Sequence, residues 1–205
     1  MLNPASNSAI VLDFETTGLS PNQGDRAIEI GAVKLEDGVV VDTFQALMNP
    51  GFRITSFIES YTGITNQMLS TAAPCEVVMD RFADFIHGSN LVAHNASFDQ
   101  RFLDAELSLI NRHYTGEFAC SMLIARRIYQ EAPNHKLGGL VAFRQIENDG
   151  VFHRALADSE MTAKLWLTMI EDIQTRYSIT TPSFKLMQKI AKKPKSSVNA
   201  FLCTQ

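Results

Sequence analysis

Residues 10 to 20 read IVLDFETTGLS: three apolar residues run into an aspartate and a glutamate separated by one position, and a Thr-Thr-Gly corner follows. Such an apolar run predicts a buried strand, and ionised groups at the margin of an apolar core are costly unless something compensates them. Side chains two apart on a strand share a face, so Asp13 and Glu15 are expected to point the same way from the strand's carboxyl end. Ligands sit at that end of open α/β sheets. A pair of this kind is also common as surface carboxylates or beside an arginine, so a site requires further acids from elsewhere in the chain.

The rest of the sequence sets what can surround this segment. A chain of 205 residues, with 45% apolar and 20% charged positions, predicts one soluble domain with a substantial core. No apolar stretch approaches the roughly 20 residues that span a bilayer. The amino terminus MLNPASNSAI lacks the basic and apolar regions of a secretory signal, so a cytoplasmic protein without membrane partners is expected. Cys75, Cys120 and Cys203 are widely spaced and odd in number, which argues against a disulfide framework or a zinc site. The net charge of -4 is uneven: residues 173–205 hold six basic residues and no acid, leaving 12 basic against 22 acidic residues in the remainder. An acidic body with a basic end suits a carboxylate metal site plus a docking segment, and equally a solvated surface with a frayed end.

Strand patterns come first along the chain. SAIVLDFE reads as a central strand, AIEIGAVKLE alternates, and VVVDTFQALM follows the Asp37-Gly38 hairpin signal. GLSPNQGD between the first two is a polar loop. Beyond Pro50, SFIESYTGIT and PCEVVMDRFADFIHG carry apolar residues at helical spacing, with Pro74 set to begin a helix. NLVAH reads as a short buried strand, ASFDQRFLDAELSLI as an amphipathic helix, GEFACS as a fifth strand and SMLIARRIYQ as a helix. Asn134 is a candidate cap for HKLGGLVAF, and ALADSEMTAKLWLTMIEDIQTR is a long helix. The order predicts an α/β fold in which a mixed central sheet of about five strands is flanked by helices. Residues 1–180 form the expected domain. Residues 181–205, rich in Pro, Ser and Lys, are expected to be a loosely attached basic tail with at most one short helix.

Two later segments carry further candidates. In LVAHNASFDQRF, Asp99 falls near the start of the helix leaving a buried strand, where the helix dipole favours an anion. In HRALADSEMTAKLW, His153 precedes a helix whose first turn contains Asp158, and a histidine there can titrate near neutrality as a general base should. Asp13, Glu15, Asp99 and Asp158 thus offer hard oxygen ligands on three separated elements. Oxygen donors select Mg2+ or Mn2+ over zinc, so the opening carboxylates are expected to be compensated by divalent cations.

These motifs, D-x-E-T-T-G, H-N-A-x-F-D and H-x-A-x-x-D in that order and spacing, resemble those of the DEDDh, or DnaQ-like, 3'-5' exonucleases, whose fold is RNase H-like. Y-T-G-I-T at 61–65, S-M-L-I-A-R-R at 121–127 and N-H-K-L at 134–137 resemble the family's intervening segments. The resemblance implies that Asp13 bridges two divalent cations, Mg2+ with Mn2+ able to substitute. Glu15 and Asp158 would complete the site that holds an attacking water, Asp99 would support the second ion, and His153 would take the water's proton. It further implies that Thr16 and Thr17 approach the terminal nucleotide, that Phe98 lies against its base, and that Asn95 contacts phosphate. Thr62 stands before Gly63-Ile64 where many relatives have histidine. The implied activity is release of nucleoside monophosphates from single-stranded or frayed DNA 3' ends, in proofreading beside a DNA polymerase subunit or in repair. RNA as substrate keeps the same chemistry, and a non-catalytic accessory module keeps only the fold.

Overall fold

Ala9–Thr16 (β1) sends apolar side chains to both of its sides, and only a strand between two packed layers can bury both. The computed structural model describes residues 5–147 and 154–205. Ala27–Glu36 (β2) pairs antiparallel with β1, and Val39–Asn49 (β3) antiparallel with β2. The β2–β3 turn is Asp37-Gly38, with φ of 50° and 81°, the pair of left-handed residues that a type I′ hairpin requires. Leu91–Ala93 (β5) adds parallel to β1, and Phe118–Cys120 (β6) parallel to β5. A two-residue strand, Ala73–Pro74 (β4), lies parallel to the end of β3, giving the order β4-β3-β2-β1-β5-β6. The mixed sheet is as expected, with six strands rather than five; two residues are too few for alternation to show. Pro74 directly precedes Cys75–Phe85 (α3), in keeping with the helix start read there.

Each face of the sheet has its own core. Ile10, Leu12, Phe14 and Ile30 pack with Phe82 of α3 and with Phe102 and Leu103 of Ser97–Leu109 (α4). On the other face Val11, Val33 and Val92 meet Ser121–Ile128 (α5), Leu137–Phe143 (α6) and Ala155–Tyr177 (α7), with Trp166 and Met169 at the centre. Ser56–Thr62 (α1) and Asn66–Ser70 (α2) close a smaller cluster of Ile28, Ile54, Ile58, Ile64 and Leu69.

The carboxyl-terminal segment differs from expectation. It forms two helices, Phe184–Lys192 (α8) and Val198–Leu202 (α9), and their Phe184, Leu186, Met187, Ile190, Val198 and Leu202 are buried in the same core as Trp166. Each such side chain contributes about 1.5–3 kcal/mol of burial, so the segment is an integral layer and not a loose tail. Lys185, Lys189 and Lys192 lie on the exposed side of α8. Asn134 is not the cap of α6, whose N-cap is Lys136; its Oδ1 instead accepts from Lys136 N at 3.0 Å, two residues on, a local turn that competes with helix. Among the described residues no helix is long and apolar enough to cross a membrane.

Candidate active site

The strand register brings the first acids together. Asp13 lies opposite Gly31 and Glu15 opposite Glu29 on β2, all on the face that carries α7. At Gly31 the start of α7 crosses the sheet so closely that a Cβ would collide with the main chain of Ala155 and Leu156, and the Ser159 hydroxyl donates to Gly31 O at 2.9 Å. Glu29 fixes the same end: its carboxylate takes Arg154 Nη2 at 2.7 Å and Nε at 3.1 Å, and accepts from Ala155 N at 3.2 Å. Asp158 is thereby set over the strand end. Asp13, Glu15 and Asp158 each present an oxygen, all within 4.8 Å of one another. Asp99, in the first turn of α4, accepts from Phe14 N at 3.2 Å, which holds it behind Asp13.

Burial, reinforced at Asp13 and Glu15 by neighbouring acids, raises proton affinity at the strand end. Burial first, and then Asp99, Asp158, Glu15 and Glu29, hold the Asp13 carboxyl well above the ordinary aspartate range. Burial, with Asp158, Glu29 and Asp99, pushes Glu15 up to about 8, against the pull of Arg154. Burial pushes Asp99 up to about 7, opposed by its bond from Phe14 N. A set of hard oxygens that close, each disfavouring the others' charge, is the donor chemistry that fits Mg2+ or Mn2+.

The four acids line a cavity of about 560 Å³ with Thr16, Gly18, Leu19, Phe57, Asn95 and Phe98. Thr16 Oγ1 donates to Gly18 O at 2.6 Å. Thr17 does not line it; its hydroxyl accepts from Arg26 N at 3.0 Å and donates to Asp25, closing the corner. At Gly18 a Cβ would push aside the Asp25 carboxylate, which holds Thr17 and Ser20 N. Asn95 holds φ of 73°, a left-handed conformation that Asn tolerates better than most residues, at the exit of β5. Phe98 is half-buried, in contact with Phe102 at 5.1 Å between ring centres. Thr62 also lines the cavity, its hydroxyl donating to Ile58 O and accepting from Ile64 N. His153 lies outside the described residues.

Two residues of the site escaped sequence reasoning. Glu29 is fully buried, and its signal was an acid inside the otherwise apolar AIEIGAV. His94 lines the cavity, with Nε2 2.9 Å from His135 O and Nδ1 2.9 Å from Ser121 Oγ. A carbonyl only accepts, so Nε2 carries a proton; the Ser121 hydroxyl also lies 3.2 Å from Ala93 O. Burial pushes His94 down to about 4, which keeps the ring neutral at neutral pH.

The family model described as an exonuclease matches residues 10–166. The chain is 38% identical over 165 residues to the PolC-type DNA polymerase III of Caldanaerobacter subterraneus subsp. tengcongensis, covering 80% of this chain and 12% of that protein. It is 32% identical over 189 residues to the 3'-5' exonuclease DinG of Bacillus subtilis, covering 89% of this chain and 19% of that one. The chain therefore spans less than a fifth of the length of these curated relatives. A solved structure of exonuclease X with 5' overhanging duplex DNA matches at a TM-score of 0.67 and 27% identity, over 89% of this chain and 98% of that one. The six-stranded sheet with its flanking helices is the RNase H-like fold.

Proposed function

The chain belongs to the DEDDh 3'-5' exonuclease family, and from that premise we propose that it hydrolyses the last phosphodiester of single-stranded or frayed DNA 3' ends, releasing nucleoside monophosphates. The observation that carries this is the convergence of Asp13, Glu15 and Asp158 within 4.8 Å, with Asp99 held behind them, at a cavity large enough for a nucleotide.

In this reading Asp13, Glu15, Asp99 and Asp158 hold two divalent cations, Mg2+ or Mn2+. Bound there, such ions neutralise the charge of the phosphate and of the departing oxygen. The chain's own groups do the rest. Phe98 and the Thr16 corner receive the terminal nucleoside, base-tolerant stacking being worth about 1–3 kcal/mol. Asn95 approaches phosphate from the rim. Thr17, engaged with Asp25 and Arg26, supports the corner from behind and acts on the nucleotide only through Thr16. His153 takes the proton of the water that attacks phosphorus, the bond from phosphorus to O3' breaks, and O3' leaves on the shortened strand with a proton from solvent. Work beside a DNA polymerase, in the cytoplasm, is consistent with the polymerase III relatives.

The test is incubation of end-labelled DNA and matched RNA oligomers with Mg2+, with and without chelator. Stepwise release of deoxynucleoside monophosphates from the 3' end, abolished by chelator, is expected. Preferential degradation of RNA would overturn the choice of DNA, and binding of ends without release under Mg2+ or Mn2+ would overturn catalysis.

A further inference from the structure

Among the described residues the acid cluster opens onto two cavities. The first, with Phe98 and the Thr16 corner, has been described; a second, of about 730 Å³, is lined by Asn134, Lys136, Leu137, Gly138 and Gly139. The two share Asp13, Asp158, His94 and Tyr61 and otherwise have no lining residue in common. Both fall in the range of about 300–1,000 Å³ that holds small ligands. An enzyme that cuts the last link of a strand must accommodate a nucleoside on one side of the acids and the retained strand on the other. The walls differ accordingly. The first cavity offers the aromatic rings of Phe57 and Phe98, suited to a base. The second offers one lysine and a Gly-Gly pair, side-chain-free main chain suited to close approach by a sugar-phosphate backbone.

We propose that this second cavity is the subsite for the retained strand, and that Lys136 binds the first phosphate beyond the one that is cut. The segment is fixed for such a task. His94, whose ring lies between the cavities, holds His135 O at 2.9 Å, and Asn134 Oδ1 holds Lys136 N at 3.0 Å. Gly139 lies against the Asn134 carboxamide where no Cβ fits. Lys136 is itself exposed and stands between these anchors. An ammonium there meets a phosphodiester as a point charge, independent of base sequence.

This inference rests on the exonuclease reading, and its test separates the two. The p-nitrophenyl ester of thymidine 5'-phosphate presents a terminal nucleotide and a leaving group but no further phosphate, so it exercises the acids without the contact assigned to Lys136. For Lys136→Ala, KM for a single-stranded DNA oligomer is expected to rise about tenfold at low salt, with a salt dependence weakened by about one phosphate contact. Its kcat on the oligomer, and all kinetics on the ester, should match wild type. Lys136→Glu should raise KM further, and Lys136→Arg should restore it. Unchanged oligomer kinetics in Lys136→Ala would overturn the subsite, as would an equal loss on ester and oligomer, which would mark a structural role. A wild-type protein inert towards both substrates would overturn the functional reading, and the subsite with it.

Discussion

Two kinds of buried carboxylate occur on this fold, and they are treated in opposite ways. Glu106, 3% exposed, receives Arg26 through two bonds of 2.9 Å and Ala27 N at 3.1 Å; Glu29, wholly buried, receives Arg154 and Ala155 N. Both acids are matched by an arginine fork and a main-chain donor, the combination that makes a buried charge tolerable. On the neighbouring strand Glu15 stands among other acids instead, and burial first, then Asp158, Glu29 and Asp99, raises its proton affinity. At Asp13 burial and neighbouring acids do the same, and at Glu15 they outweigh the pull of Arg154, which at Glu29 is a direct fork. The difference marks the acids that could hold a divalent cation.

The contrast can be broken in four ways. The largest effect is expected from Asp13→Ala, which should lower kcat on a DNA oligomer by about 1,000-fold or more, the several kcal/mol that metal-assisted charge stabilisation supplies. Because it relieves like-charge repulsion, the same variant should melt at or above the wild-type temperature at pH 8 without metal. A near-wild-type rate would remove Asp13 from the chemistry. Arg154→Ala strands the Glu29 charge in the core and should cost about 3 kcal/mol in urea unfolding; a loss under about 1 kcal/mol would show that Glu29 needs no partner.

The third test is pH. Burial, with neighbouring acids at Glu15, pushes Glu15 up to about 8 and Asp99 up to about 7, above the ordinary 4.5 and 3.8, so the folded state keeps protons that the unfolded chain has already released. Stability of the metal-free protein should therefore be full below about pH 4 and fall as pH rises towards 8, and saturating Mg2+ should flatten the decline. Thermal melts with chelator across that range would read it, and a flat metal-free profile would refute the raised proton affinities of Glu15 and Asp99. The smallest effect is expected from Arg26→Lys, which keeps the charge beside Glu106 but loses the two-pronged geometry, at about 1 kcal/mol.

Much of this was written in the chain at short range. The two-residue spacing of Asp13 and Glu15 fixed their shared face, and Asp37-Gly38 fixed the hairpin, because strand alternation and turn chemistry are local properties. The far end was misread for a physical reason. In TPSFKLMQKIAKK the Pro, Ser and Lys content suggests solvent, yet Phe184, Met187 and Ile190 recur at helical spacing with lysines between them. Whether that stripe is covered depends on α5 and α7, which composition does not reveal. Glu29 was invisible as a clamp because its partner lies 125 positions away. The second cavity likewise arises only when β5, α6 and α7 meet.

Gly31 gives the site a particular fragility. Since main chain rests on main chain where β2 meets α7, there is no intervening side chain that could shrink or re-orient to absorb an added methyl group. Alanine at position 31 would work as a wedge under the first turn of α7, lifting Asp158 while the far two-thirds of that helix stayed seated around Trp166. A variant at this spot is expected to lose activity by displacing an acid that it leaves chemically intact.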